Sequence, residues 1–118
     1  MDRAQAIHHF WSSFGLPAYS EDSSYDKAEE PYITYSVVLG DLYQVSNMSA
    51  SVWYRSYSWE AITKKVEEIE RKIETMYPIK TDTGGLYIAK GDPFAQRARD
   101  PDDDLIRRYY INIQAIMQ

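Results

Sequence analysis

The chain has 118 residues, of which 44% are hydrophobic and 26% are charged, and its formal net charge is −5. This length and balance predict one folded domain over residues 1–118 and exclude disorder throughout. The acidic balance argues against binding nucleic acid by phosphate neutralisation, and the lack of cysteine excludes disulfides, thiolate metal sites and a cysteine nucleophile.

The hydropathy pattern predicts no membrane span. No run of about 18 apolar residues occurs, and the first residues lack the basic and then apolar order of a signal peptide. We therefore expect a cytosolic protein. Tyrosine is unusually frequent: eleven tyrosines and three tryptophans belong to residue types that favour both strands and partly wet protein interfaces.

The first predicted element is a helix over Asp2–Phe14. Its apolar residues follow the i, i+3, i+4, i+7 spacing of one helix face: Ile7, Phe10, Trp11 and Phe14. Asp2 together with Gln5 has the pattern of a capping box. His8 and His9 point in different directions on such a helix, so no histidine metal site is expected.

A polar connector and a strand follow this helix. Residues Ser20–Glu30 show no periodicity and predict a loop. Pro31 precedes the first strand, Tyr32–Leu39, whose two faces differ in polarity as in a sheet with one covered face. The conformation of the next stretch, Leu42–Met48, stays open.

The second strand is predicted over Ser49–Tyr57. Its alternation puts Trp53 on the same face as the charged Arg55. Two interpretations remain at this point. Either a partner covers the face with Trp53, or the apolar face of the strand is the other one, with Ala50 and Val52.

The clearest signal in the sequence is an amphipathic helix over roughly Trp59–Tyr77. An apolar stripe recurs at spacings of four and three: Ile62, Val66, Ile69, Ile73 and Met76. The remaining positions carry charges of both signs and predict a solvated face. Ser58 is the predicted N-cap, and Pro78 ends the helix because it cannot donate the next backbone hydrogen bond.

The last part of the chain predicts two strands around a long loop. Gly84-Gly85 indicates a tight turn before a short strand, Leu86–Lys90. A loop over Gly91–Asp104 is long for so small a domain, and a final strand follows at Leu105–Ile116. The predicted fold is therefore α+β, an antiparallel four-stranded sheet with two helices packed on one face, in the order α-β-β-α-β-β.

One cluster has enzyme-like chemistry. Four carboxylates fall within five residues, Asp100, Asp102, Asp103 and Asp104, and oxygen ligands suit Mg²⁺ or Ca²⁺. The calcium-loop signature fails, because Leu105 and Ile111 stand where it needs glycine and glutamate. The competing interpretation is a charged loop that keeps the adjoining strand from pairing at its edge.

No catalytic, cofactor-binding or metal-binding residue is therefore predicted, and we do not expect an enzyme. Ser-His-Asp catalysis has no support, because the two histidines are helical neighbours and no serine lies in a G-x-S-x-G turn. A metal-dependent enzyme that uses the four aspartates is kept as a third hypothesis, and it predicts tight binding of a divalent ion.

Four stretches of the sequence together carry a family resemblance: Pro31–Tyr35, Val52-Trp53-Tyr54, Gly84–Ile88 and Arg107–Asn112. With the element order and length, they resemble the tail-terminator, tail-completion or head–tail joining proteins of long-tailed phages and prophages. The resemblance covers nearly the whole chain and includes no catalytic signature.

The resemblance implies a structural α+β protein that assembles into a ring, commonly a hexamer. Such a ring caps the tail tube and joins it to the head connector. The implied partners are other copies of the chain, the tail tube protein and the head connector protein, with no membrane and no sequence-specific nucleic acid. The implied location is the host cytoplasm during assembly and then the tail or neck of the virion.

The alternative function is a small non-enzymatic binding module, an inhibitor or adaptor that acts one-to-one on a partner protein. For either function, the interface is predicted in the long loop, where an aromatic residue flanked by arginines has the composition of a hot spot: Phe94, Gln96, Arg97 and Arg99. The competing interpretation of Phe94 is that it only holds the loop against the core.

Overall fold

A computed structural model describes residues 1–23 and 29–118. Within these ranges the two helices are α1 (Arg3–Ser12) and α2 (Glu60–Thr75). The six strands of the same described residues are β1 (Ala18–Ser20), β2 (Tyr32–Tyr35), β3 (Val45–Arg55), β4 (Ile79–Thr81), β5 (Gly84–Arg99) and β6 (Ile106–Met117). The middle of the predicted connector Ser20–Glu30 lies outside the described residues.

The strands form one mixed sheet in the order β1-β2-β3-β6-β5-β4, curled into a half-barrel. β1 runs parallel to β2, and every other neighbouring pair is antiparallel. The predicted four-stranded antiparallel sheet with the order α-β-β-α-β-β is therefore wrong. β1 and β4 were missed because each has three residues, too few to show a period of two.

Both helices pack against the same face of the sheet and share one core with it. The predicted stripe of α2 supplies Ile62, Val66, Ile69 and Ile73 to that core, and α1 supplies Ala6, Ile7, Phe10 and Trp11. Burying one such large apolar side chain contributes roughly 1.5–3 kcal/mol. The buried apolar residues of β3 are Met48, Ala50 and Val52, so the apolar face of this strand is the one opposite Trp53.

The helix starts follow the sequence signals with one correction. Asp2 accepts from the backbone N–H of Gln5, and Gln5 completes the predicted capping box. At α2 the residue in the N-cap position is Trp59, not Ser58. The Ser58 hydroxyl still accepts from the backbone N–H of Glu60 at 3.0 Å. It therefore satisfies one N–H at the start of α2, although Ser58 precedes the N-cap residue by one position. Neither helix in the described ranges combines the length and hydropathy needed to cross a bilayer.

Two predicted boundaries are wrong in ways that matter for the surface. β2 ends at Tyr35, and Val38 and Leu39 are exposed beyond it. β5 continues through Arg99, so most of the predicted loop Gly91–Asp104 is a strand paired with β6. The pairing register shifts between Lys90 and Ala95, a bulge in β5.

The turn between β4 and β5 requires glycine at Gly84. Its φ is +154°, and a Cβ atom there would lie 2.7 Å from the backbone of Gln118. The neighbouring Gly85 exchanges two backbone hydrogen bonds with Gln118. The predicted Gly84-Gly85 signal therefore corresponds to a close approach of two backbone segments.

Candidate interaction surfaces

The residues predicted for an interface lie on strand β5 and divide between its two sides. Phe94 is half-buried and packs against the core. Gln96 is exposed and pairs with Tyr110 on the sheet face that the helices leave free. Arg97 and Arg99 are exposed and lie on the helix-bearing face. The structure therefore brings the two arginines together and separates both from Gln96.

Arg97 belongs to a cluster built from three elements, which we call the Trp59 cluster: Trp59, Thr63, Arg97, Arg107 and Tyr109. The Arg97 guanidinium lies 4.6 Å and that of Arg107 5.3 Å from the Trp59 ring centroid. Trp59 meets the Tyr109 ring edge-on at 5.6 Å between centroids. Two cations on one indole form cation–π contacts, so the side chains stand in fixed positions at this end of the β5–β6 pair.

Tyr109 has a perturbed pKa within this cluster. Burial acts to raise the pKa of the phenol, but hydrogen bonds from Thr63 and Arg97 and the charge of Arg97 act to lower it. The net result is a pKa below the usual value of 10.0. Arg97 Nε donates to the Tyr109 hydroxyl at 2.9 Å, so the arginine stabilises the ionised form of this tyrosine.

The helix-free face carries an aromatic row that crosses four strands: Tyr19, Tyr32, Trp53, Arg108 and Tyr110. Tyr32 stacks on Trp53 at 6.0 Å between centroids, and Tyr19 meets Tyr32 edge-on at 6.1 Å. The Arg108 guanidinium lies 4.5 Å from the Trp53 centroid and 5.7 Å from that of Tyr110. Trp53 is therefore covered by side chains of its own chain.

Two polar residues are buried beneath this aromatic row. The indole N–H of Trp53 donates to the Thr34 hydroxyl, and Arg108 Nε donates to the Ser51 hydroxyl, both at 3.0 Å. Thr34 and Ser51 are 3% and 1% exposed. Since these hydroxyls have partners, their burial does not carry the cost of an unsatisfied polar group, and the row is a rigid part of the sheet.

A second part of the helix-free face is apolar and exposed. Val45 of β3 and Tyr87 of β5 both pair with Ile116 of the strand between them, so the three side chains form one row, the apolar patch. Val45 is 56% and Tyr87 is 42% exposed. The backbone N–H of Tyr43, another exposed residue, donates to the carbonyl of Met117 beside this row. A contiguous exposed apolar row is typical of a surface that binds a partner.

A polar hollow of about 630 Å³ separates the aromatic row from the apolar patch. Paired residues of the two central strands line it, Asn47 with Gln114 and Ser49 with Asn112. Gly91 and Asp92 at the bulge of β5 form one wall. The amide of Asn112 is used internally, because it donates to the carbonyl of Pro93 at 3.0 Å.

Two of the four aspartates after β5, Asp100 and Asp103, are engaged with their own chain. Asp103 forms an ion pair with Arg55 at 2.7 Å and accepts from the backbone N–H of Leu105. Asp100 accepts from the backbone N–H of Asp102 at 2.8 Å. Among residues 1–23 and 29–118, no group of three or more acidic or histidine side chains is placed to hold a metal ion.

His8 is likewise engaged. Its two ring nitrogens lie 2.6 Å from the Tyr35 hydroxyl and 3.1 Å from that of Ser12.

The Asp103 ion pair gives a pH-dependent prediction. The backbone hydrogen bond from Leu105 and then Arg55 lower the pKa of Asp103 below its usual 3.8. Because the folded pKa is lower than the unfolded one, the stabilisation is present above 3.8 and is lost as pH falls through the folded value. We expect Asp103→Asn to lower the urea midpoint at pH 7 and to have a smaller effect near pH 3. An equal effect at both pH values would contradict the ion pair.

The sequence carries only faint signs of these surfaces. The Trp59 cluster joins the start of α2 to two strands, and no local pattern connects them. The only sign of the aromatic row in the sequence was the alternation that put Trp53 on the same strand face as Arg55, for which two interpretations remained. The chain matches no protein-family model, and no curated protein matches it significantly.

Proposed function

We propose that this chain is a structural phage or prophage virion assembly protein that forms a ring, caps the tail tube and joins it to the head connector. The observation that carries the proposal is the apolar patch of Val45, Tyr87 and Ile116, which lies on the sheet face without helices. The resemblance of the sequence to tail-terminator and tail-completion proteins supports the same function.

The patch is well suited to a contact between rigid components. Its three side chains come from three hydrogen-bonded strands, and the β3–β6 pairing extends over eleven residue pairs. Rigid apolar rows lose little side-chain freedom when they are covered. We propose that the patch binds the tail tube protein, and that the head connector protein binds another surface of the ring. The protein then resides in the host cytoplasm before assembly and in the tail or neck of the virion afterwards.

The first test is the absolute mass of the purified protein over a concentration series, by light scattering, with electron micrographs of the largest species. We expect a plateau at a fixed multiple of 13.8 kDa and closed rings in the micrographs. We also expect the protein to sediment with purified tail tubes. A monomer at every concentration that fails to bind tubes or connector rings would refute the proposal, and a stable one-to-one complex with another protein would favour the alternative binding module.

A further inference from the structure

The two edges of the sheet differ in which strands form them. β4 pairs with β5 only from Gly84 to Leu86. Beyond Leu86, no strand in the described ranges pairs with the outer side of β5, so its stretch Ala95–Arg99 is a free edge. At the opposite side of the sheet β1 is the last strand. A free edge is a template for contact with another chain, and its side chains decide which contact forms.

The free edge of β5 is basic. Arg97 and Arg99 are exposed, and neither forms an ion pair with a carboxylate among the residues described. Arg99 stands directly opposite Arg107 in the β5–β6 ladder, and like charges in that position destabilise a sheet. Asp100, Asp103 and Asp104 line the same hollow as these two arginines, but Asp103 is paired with Arg55, and no described carboxylate forms an ion pair with Arg99. A carboxylate from outside the subunit would relieve this repulsion.

The β1 edge of the sheet is acidic. Glu21 and Asp22 directly follow β1, and Glu29 and Glu30 directly precede Pro31 and β2. Three of these four side chains are exposed and Glu30 is half-buried. None of them forms an ion pair with a residue in the described ranges. This side of the sheet therefore offers carboxylates that no described cation pairs with.

Glu29 and Glu30, at the start of β2, lie near the level of the basic edge, whereas Glu21 and Asp22 lie at the other end of the parallel β1–β2 pair. The register connects Tyr32 to Trp53, Trp53 to Arg108 and Arg108 to Ala98 in one row across four strands. Ala98 lies between the two arginines, and Tyr32 follows Glu30 by two residues. A second copy displaced sideways along the sheet would bring its acidic edge against the basic edge of the first.

We infer that neighbouring copies in the ring meet head to tail, with Arg97 and Arg99 of one copy against Glu29 and Glu30 of the next. Two different surfaces at opposite sides of one subunit form a heterologous contact, the kind that closes into a ring. The inference rests on the proposed function and adds to it the partner surface at each subunit boundary. The apolar patch is left free for the tail tube.

The test reverses the charges at this boundary and measures mass by light scattering. The double variant Arg97→Glu/Arg99→Glu and the double variant Glu29→Arg/Glu30→Arg should each weaken ring formation by about 100-fold or more, because like charges then face each other. The variant that carries all four changes should form rings again. Lys72→Glu/Lys80→Glu is the matched control for the arginine double variant, since it makes the same change of net charge at two exposed lysines away from the proposed contact.

The wild-type arm separates the two proposals. If wild-type rings form and Arg97→Glu/Arg99→Glu forms them at the same concentrations, the inference is wrong and the proposed function stands. If the wild type is monomeric and binds no tubes, both fail. Arg97 also contacts Tyr109, so the single variant Arg99→Glu and thermal melting of every variant show whether lost assembly reflects lost folding. Restored rings in the variant with all four substitutions would directly support the inferred contact between neighbouring copies.

Discussion

Trp11→Ala is expected to lower the free energy of unfolding by about 3–5 kcal/mol, the usual cost of removing a fully buried tryptophan. Trp11 is 0% exposed. Its ring centroid lies 4.8 Å from that of Phe10 and 6.4 Å from that of Phe14. A small domain has about 5–15 kcal/mol of stability in total, so the variant should be partly unfolded near 37 °C. Urea unfolding followed by circular dichroism measures the change.

Trp11→Phe is the matched variant, and it should cost much less. The indole Nε1 of Trp11 is buried and has no hydrogen-bond partner among the described residues. An unsatisfied buried donor costs roughly 1–3 kcal/mol, and phenylalanine removes that donor while it keeps most of the apolar contact. If Trp11→Phe were as costly as Trp11→Ala, the benefit expected from removing an unsatisfied indole N–H would be contradicted.

The second large effect is expected on the proposed binding to tail tubes. Val45→Glu/Tyr87→Glu places two carboxylates in the apolar patch, where contact with a partner would strip them of water. Truncating a central interface residue costs about 2 kcal/mol or more, and a buried unpaired charge adds to that cost. We therefore expect sedimentation with tail tubes to be lost. Ring mass should be unchanged, because the inferred subunit contact lies at the sheet edges.

Tyr77→Glu is the control for this experiment. Tyr77 is 89% exposed and follows α2 outside the patch, so the same change of residue type there should leave tube binding intact. If Val45→Glu/Tyr87→Glu and Tyr77→Glu both bound tubes as well as the wild type, the apolar patch would not be the tube-binding surface. Loss of binding in both would indicate an effect of net charge on the encounter with the tube, which higher salt should reverse.

The central helix was predictable because its signal is local. Four aliphatic residues of α2 recur at spacings of three and four and are all buried, and charged residues occupy the other faces. The start of α1 was predictable for the same reason, since Asp2 and Gln5 are three residues apart. Local spacing determines both features, and tertiary contacts do not override it.

β5 was not predictable in the same way. Its middle contains Gly91, Asp92 and Pro93, residues with poor strand propensity, and the stretch after them pairs with β6 only after a register shift. The stretch is a strand because a long partner strand holds it, and sequence patterns do not report such pairing. The predicted interface residues were therefore assigned to one loop, although Gln96 and Arg97 point to opposite faces of a sheet.

The centre of the sheet is its last strand in chain order. β6 lies between β3 and β5, so before β6 is synthesised the sheet exists only as two unconnected parts, β1-β2-β3 and β4-β5. A nascent chain that ends before Ile106 lacks the strand that joins them and leaves the apolar faces of both helices partly uncovered. Prematurely terminated chains should then be recognised by proteases as unfolded, and only chains translated through β6 would complete the sheet.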